Sequence, residues 1–140
     1  MDTRVRAAIE RAVDQEPFAR SVGIELLKLD EGYSLVEMVY DPECHNNIYG
    51  RAHGGAVFGL IDEAFETASQ TDGTVAVAMN VNVTYISSPE PGARLCAEAR
   101  RIAQTKRTAT YDIKVTDAGR RLIAVCHALA YRTGKPIPFL

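Results

Sequence analysis

The sequence predicts an α+β fold in which one long helix packs on an antiparallel sheet. Residues 46–70 contain a long apolar repeat at helical spacing without proline, and residues 75–131 contain four strand-like runs separated by turns. Apolar positions at i, i+3, i+4 and i+7 are typical of a helix, whereas strict alternation of apolar and polar residues is typical of a strand. Because the strands follow one another without intervening helices, we expect the long helix to cover one face of an antiparallel sheet.

The N-terminal part of the chain predicts a cover helix and a β-hairpin. Thr3–Gln15 carries apolar residues at helical spacing and is followed by a Glu-Pro pair, which disfavours continuation of the helix. Residues 18–22 are expected to add a short turn before Gly23. Residues 24–29 and 33–40 are rich in aliphatic residues and are joined by an Asp-Glu-Gly turn, a pattern that predicts a hairpin.

The central helix follows a polar loop over residues 43–52 and carries a broad apolar face. At 100° per residue, Asp62 projects far from the centre of that face, on the same side as Gly55 and Gly59. Glycines one and two turns before a carboxylate leave room for a ligand or another chain. The uncovered N–H groups at the helix start favour a developing negative charge. The apolar positions are Ala56, Val57, Leu60, Ile61, Ala64, Phe65 and Ala68.

Four strands are predicted after the helix, over residues 75–86, 94–102, 107–116 and 121–131. In the third of these runs, apolar and polar residues alternate strictly, which predicts a sheet that is covered on one face. No repeat, low-complexity tract or linker interrupts the chain. We therefore expect a single domain over residues 1–140.

The composition excludes several classes of function. The chain has 140 residues, 46% of them hydrophobic, and its 16 Lys and Arg are balanced by 18 Asp and Glu, so nothing favours nucleic-acid binding. Three widely spaced cysteines without a CxxC pair favour reduced thiols and a cytoplasmic protein. The N-terminal residues predict neither a signal peptide nor a membrane span.

The motif around the central helix resembles one known family. His53-Gly54-Gly55 is followed by Leu60 and Asp62, and Asn47 lies six residues before His53. In this pattern, and in the stretch VNVTYISSPEPGARLCAEA after the helix, the chain resembles the hotdog-fold acyl-CoA thioesterases of the phenylacetate-degradation (PaaI-like) type. The resemblance implies a long central helix wrapped by a curved antiparallel sheet. It also implies acyl-CoA hydrolysis without a cofactor or metal, by a homodimer or homotetramer.

Roles for four residues follow from this resemblance. Asp62 matches the catalytic carboxylate, which acts as general base on water or as nucleophile on the thioester. Gly54 matches the glycine whose backbone N–H polarises the thioester carbonyl. Asn47 matches a side chain that binds the carbonyl or holds the water, and His53 matches the residue that shapes the loop. In the family the loop of one subunit faces the carboxylate of the other, so the site is expected at a subunit interface.

Further residues are expected to contact the substrate. Ala78 stands where many relatives place a Ser or Thr near the catalytic water, so Asn80 or Asn82 is expected to take over that contact. Gly55 and Phe58 are expected to line the acyl site. Coenzyme A carries phosphates that need cationic partners, and we expect Lys106 and Arg107, near a turn between two strands, to bind them.

Alternatives remain open at this point. Glu63 is the rival base, but it points about 100° away from Asp62 around the helix. Cys44, His45 and His53 lack a further ligand that would complete a metal site, so no metal is expected. A non-catalytic acyl-CoA-binding protein and a hotdog hydratase or dehydratase are the two alternative functions. The preferred acyl group, aromatic or medium-chain, and the choice between dimer and tetramer also stay open.

Overall fold

Four helices and one six-stranded antiparallel sheet form the protein, and the computed structural model describes residues 1–140. This arrangement confirms the predicted α+β class and the order of its main elements. The helices are α1 (Thr3–Gln15), α2 (Pro17–Val22), α3 (Pro42–His45) and α4 (Gly54–Ser69), and the strands are β1 (Ile24–Asp30), β2 (Tyr33–Val39), β3 (Thr74–Tyr85), β4 (Arg94–Gln104), β5 (Thr108–Asp117) and β6 (Leu122–Pro136).

The sheet has the strand order β1-β2-β4-β5-β6-β3, and all neighbouring strands are antiparallel. Strands β4, β5 and β6 follow one another through short turns. Strand β3 precedes them in the chain but pairs with β6 at the outer edge. The two edges of the sheet are therefore β1 and the 12-residue strand β3.

The main core lies between α4 and the concave face of the sheet. Leu60, Ile61 and Ala64 of α4 are completely buried, and the ring of Phe65 meets the Tyr111 ring of β5 edge to face, with centroids 5.3 Å apart. The sheet presents small residues to the helix: five alanines on β4 and β6 have no exposed surface. Alanines at these positions let α4 lie close to the sheet, as in the hotdog arrangement of a central helix wrapped by a sheet. The five alanines are Ala97, Ala99, Ala124, Ala128 and Ala130.

Helices α1 and α2 cover the start of the hairpin. The Asp2 side chain accepts the N–H of Arg4 at the start of α1, which satisfies one of the free donors of that helix. Helix α1 buries Val5, Ala8 and Ile9 in a second, smaller cluster with residues of β1 and the C-terminus. No helix is both long enough and apolar enough to cross a membrane.

Two segments differ from the predictions. The loop predicted over residues 43–52 begins inside a short helix, α3, because the Asp41 side chain accepts the N–H of Glu43 and Pro42 suits a first helical position. Four residues are too few to show an apolar period. Strand β6 continues to Pro136 rather than ending at residue 131, because it stays paired with β3 as far as Thr74.

Phe65→Ala is expected to destabilise the protein strongly, since it empties the space between α4 and Tyr111. Phe65 is 2% exposed, and removal of a buried phenylalanine ring costs about 3–5 kcal/mol. Urea denaturation measures the change in the free energy of unfolding. Ile102→Ala is the control, because Ile102 is 54% exposed and should change stability by less than about 1 kcal/mol. Equal effects of the two substitutions would contradict this description of the core.

Candidate functional site

The loop before α4 is shaped by Asn47. Its Oδ1 accepts the N–H groups of Tyr49 at 2.9 Å and Arg51 at 3.1 Å, and its own N–H donates to the Arg51 carbonyl at 2.7 Å. Asn46 and Ala52 close the loop through an isolated bridge. The side-chain nitrogen of Asn47 has no acceptor within the chain, so it is free to donate to a ligand.

The start of α4 presents a free backbone donor. His53 caps the helix, with its Nδ1 accepting the N–H of Gly55 at 2.8 Å, so the proton of the neutral ring lies on Nε2. Gly54 is the first helical residue, where no intrahelical acceptor exists, and no loop or side-chain oxygen of the chain accepts its N–H. This donor lies at the positive end of the helix dipole, where it suits an oxyanion.

Tyr85, at the end of β3, holds the first turn of α4 against the sheet. Its hydroxyl donates to the Gly54 carbonyl at 3.0 Å. A Cβ at position 54 would lie 3.3 Å from the Tyr85 phenol, so the close approach favours glycine. Asn47, Gly54 and Tyr85 line one cleft of about 360 Å³. Tyr85 could not be identified from the sequence, because an aromatic residue at the end of a strand has no distinctive local pattern.

Asp62 lies further along α4, on a partly exposed side of the helix. Partial burial raises the pKa of its carboxyl group, and the nearby charge of Glu16 raises it further. No group of the chain donates a hydrogen bond to this carboxylate. Gly54 and Asp62 are eight residues apart, which corresponds to about 12 Å along the helix axis. The two groups of one chain are therefore too far apart to flank a single thioester carbonyl.

Three glutamates form an acidic cluster next to Asp62. Glu16, between α1 and α2, and Glu63 and Glu66 of α4 each place a carboxylate oxygen within 4.8 Å of the others. Burial raises the pKa of Glu63 to about 8, with further contributions from Glu16 and Glu66. Glu63 is 2% exposed, so it cannot contact a substrate in this arrangement, whereas Asp62 can. Glu16 could not be identified from the sequence, because its proximity to α4 depends on the packing of α2.

Phe18 and His53 occupy the space that the α4 glycines leave. The Phe18 ring of α2 is half exposed and would lie 2.9 Å from a Cβ at Gly59. A Cβ at Gly55 would lie 3.0 Å from the Nδ1 of His53. The space expected for a ligand beside Gly59 is thus filled by an aromatic ring of the same chain. Phe58 is partly exposed on the same helix.

The asparagines of β3 lie on the outer face of the sheet. Asn82 pairs with His127 and Asn80 with Leu129, whereas the intervening Val81 packs against the core. Both asparagines therefore point away from Asp62 of their own chain. Ala78 faces the α4 side with the buried Ala130, immediately before a bulge in the β3–β6 pairing.

Lys106 and Arg107 lie in the exposed turn between β4 and β5. The guanidinium of Arg107 donates to the Tyr131 hydroxyl at 3.1 Å, whereas the Lys106 ammonium has no partner in the chain. Tyr131 pairs with Val77, eight residues before Tyr85 on β3, which corresponds to about 26 Å along the strand. The two cations therefore lie at the end of the sheet opposite to Gly54 of the same chain.

The residues weighed for a metal site do not come together. His45 is buried, with its Nε2 2.9 Å from the Val22 carbonyl and its Nδ1 accepting the N–H of Asp41 at 3.0 Å. Both ring nitrogens are thus engaged within the chain. Cys44 and His53 form no common group with it in which three ligand atoms meet.

Comparison with known proteins begins with the sequence. Residues 49–124 match the family described as the thioesterase superfamily. The chain is 29% identical over 124 residues to acyl-coenzyme A thioesterase PaaI of Escherichia coli, and the match covers 89% of this chain and 88% of that protein.

Solved structures show the same similarity. The E. coli PaaI protein, from the phenylacetic acid degradation operon, matches with a TM-score of 0.90 at 27% identity over 96% of both chains. A variant of the phenylacetic acid degradation protein PaaI from Thermus thermophilus matches with a TM-score of 0.79 at 33% identity, over 84% of this chain and 99% of that one. The smu.793 protein from Streptococcus mutans, bound to acetyl CoA, has a TM-score of 0.76 at 25% identity, over 81% of this chain and 91% of that one.

Glu63→Gln is expected to remove a pH dependence of stability. Glutamic acid ordinarily ionises near 4.5, whereas Glu63 keeps its proton in the folded state up to about 8. Between these values the folded state binds one more proton than the unfolded state. The free energy of unfolding should therefore fall as the pH rises, by at most about 1.4 kcal/mol per pH unit from this group. Urea denaturation at several pH values across this range measures the slope of the free energy of unfolding against pH. A chelator is present so that no metal ion binds to the carboxylates.

The control for this measurement is Glu10→Gln, which removes an exposed glutamate of α1. This variant should keep the slope of the native protein, whereas Glu63→Gln should flatten it and be the more stable protein above about pH 8. An unchanged slope in Glu63→Gln would show that Glu63 is ionised in the folded protein.

Proposed function

Because the chain belongs to the thioesterase superfamily, we propose that it hydrolyses an acyl-CoA thioester to a free acid and CoA. The observation that carries this proposal is the free Gly54 N–H at the start of α4, since acyl transfer needs a donor for the developing oxyanion. The similarity to E. coli PaaI, an acyl-coenzyme A thioesterase by name, supports the substrate class. The acetyl CoA bound to the S. mutans protein supports the same ligand chemistry.

In the proposed mechanism, the Gly54 N–H donates to the thioester carbonyl oxygen and stabilises the negative charge that forms on it. Asp62, as its carboxylate, takes a proton from water, whose oxygen attacks the carbonyl carbon. The carbon–sulfur bond then breaks and the CoA thiolate leaves. Direct attack by Asp62 would give an acyl-enzyme anhydride that water hydrolyses, and both routes fit the same geometry. The raised pKa of Asp62 makes it a stronger base than an exposed aspartate.

Surrounding residues take supporting roles in this proposal. His53 orients the first turn of α4 through the Gly55 N–H, and the free amide nitrogen of Asn47 donates to the carbonyl or the attacking water. Phe58 and the backbone of Gly55 border the acyl group. The acyl group is aromatic or medium-chain. An aromatic acyl group suits the half-exposed Phe18 ring beside the same helix.

We infer that a second copy of the chain completes the site. The distance of about 12 Å between Gly54 and Asp62 along one helix is too large for both to act on one carbonyl. Strand β3 offers a 12-residue edge that is not paired with another strand. Its apolar side chains are exposed there, Val77 to 49% and Met79 to 59%, so this edge suits pairing with a second copy.

The orientation of that pairing follows from symmetry. Two β3 edges related by a two-fold axis run antiparallel, so the Tyr85 end of one strand meets the Val77 end of the other. This brings the Gly54 N–H of one copy towards Asp62 of the second copy. It also brings Lys106 and Arg107 of the second copy towards the same end, where their charges would bind the phosphates of CoA. In the same arrangement Asn80 and Asn82 lie close to the interface.

Asp62→Asn is expected to abolish thioester hydrolysis, because an amide neither accepts the proton of water nor attacks a thioester. The measurement is thiol release from a panel of aryl- and alkyl-acyl-CoAs. Removal of a general base typically lowers kcat by about 10²- to 10⁴-fold, with substrate binding retained. The matched control is Asp14→Asn, an exposed carboxylate of α1. Binding of CoA ligands without turnover by the native protein would favour a non-catalytic acyl-CoA-binding protein, and hydration of an enoyl-CoA would favour a hydratase.

Gly54→Pro tests the oxyanion donor, since proline lacks the N–H but suits the first position of a helix. The extended conformation of His53, with φ −66° and ψ 133°, is compatible with a following proline. We expect kcat to fall by about 10²- to 10³-fold. Gly54→Ala is the matched control, because it adds the same Cβ beside Tyr85 and keeps the N–H. Equal losses in both variants would assign the effect to crowding against Tyr85.

Mixing the two inactive variants tests the shared site. Co-refolded Asp62→Asn and Gly54→Pro chains would form mixed dimers in which one of the two sites has both functional groups. About a quarter of the native activity should return, since about half of the dimers are mixed and each mixed dimer has one complete site out of two. No recovery, in mixtures shown to exchange subunits, would place both groups in one chain and contradict the interface site.

A further inference from the structure

The acidic cluster of Glu16, Glu63 and Glu66 joins two layers of the protein. Glu16 lies at the junction of α1 and α2, and the other two residues lie one turn apart on α4. One carboxylate oxygen of each lies within 4.8 Å of those of the other two. The point equidistant from three oxygens at this limiting spacing lies about 2.8 Å from each, so small side-chain movements would bring one ion to the roughly 2.0–2.6 Å of oxygen coordination.

No positive charge of the protein compensates this cluster. None of its carboxylates takes part in a salt bridge, and the only hydrogen bond among them is a proton that Glu63 can share with Glu16. The charged groups that act on Glu63 are all carboxylates, namely Glu16, Glu66 and Asp62. Like charges at this distance repel one another strongly in a partly dry site.

Glu63 provides the second observation. Its side chain is buried, since only 2% of the residue is exposed, and its Oε1 has no hydrogen-bond partner. Buried polar atoms without a partner are rare, because each loses its hydration without replacement. The Glu63 carboxylate is directed towards the other two carboxylates of the cluster. A cation bound among the three carboxylates would give the Glu63 carboxylate the partner that its Oε1 lacks.

The surroundings of the cluster suit an ion with oxygen ligands. The adjoining cleft, of about 440 Å³, is also lined by Gln15 and Gln70, whose side-chain oxygens are additional potential ligands, and by Thr67, whose hydroxyl already donates within the chain. It contains no cysteine or histidine, which zinc and copper prefer. Glu66 is exposed, so an ion can enter from solvent along that side.

We propose that the acidic cluster binds one divalent cation of the oxygen-preferring class, such as Mg²⁺, Mn²⁺ or Ca²⁺. The ion would bridge Glu16 to Glu63 and Glu66 and so fasten the α1–α2 junction to the central helix. This site is separate from the Cys44, His45 and His53 set, and it takes no part in the proposed hydrolysis. Its role is to hold α2, and with it the Phe18 ring, in place over α4.

The test uses the full-length protein after treatment with a chelator. Calorimetric titration with Mn²⁺, Ca²⁺ and Mg²⁺ in turn, and electron paramagnetic resonance of bound Mn²⁺, should show one saturable site per chain for at least one ion. The Tm should rise with the concentration of that ion, since an ion that binds only the folded state stabilises it. Glu63→Gln should weaken binding by about 10- to 100-fold and remove the rise in Tm.

Glu66→Gln is the second variant, because Glu66 is exposed and its replacement leaves the core intact. It should weaken binding as well. Glu10→Gln, on the exposed side of α1, is the matched control and should bind as tightly as the native chain. The proposal is overturned if the native protein shows no saturable binding of any of the three ions. It is also overturned if the two cluster variants, shown to be folded by circular dichroism, bind as tightly as the control.

Discussion

The close packing of α4 on the sheet is the constraint on which the other features depend. Leu60, Ile61 and Ala64 reach the sheet because the strands opposite them carry alanines without exposed surface. A helix that approaches so closely has little freedom to slide or rotate, since both layers are packed at the density of a solid. The direction of its N-terminus is therefore set by the core, and Tyr85 adds a hydrogen bond that holds the first turn at one end of the sheet.

The same packing explains why α4 carries two different electrostatic environments. Its first turn has one free donor, the Gly54 N–H, and no acidic residue, so it favours a negative charge on a ligand. Its middle carries Asp62, Glu63 and Glu66 on the side that the sheet does not cover. Burial raises the pKa of all three carboxyl groups, and the charge of Glu16, near the start of α2, raises it further. One helix thus carries a free N–H donor at its start and carboxyl groups of raised pKa along its length.

Much of the fold could be predicted because the signals are local. The α1 boundaries and the inward side of β5 follow from apolar spacing, which depends on backbone geometry alone. Helix α3 was missed because one turn is too short to show a period. The end of β6 was missed because its last residues form a strand only through pairing with β3. The burial of Glu63 was also missed, since it depends on α2 covering that side of α4.

The sequence by itself determined the type and order of the main elements, the loop that caps α4 and membership of the thioesterase family, because each depends on residues close together in the chain. Only the tertiary structure decided which groups share one environment. Tyr85 contacts Gly54 and Glu16 meets Glu63 across long separations in sequence. Such contacts form when packing places distant segments side by side, and at Glu63 the loss of water and the neighbouring carboxylates, rather than residue type, raise the pKa and so decide the charge of the group.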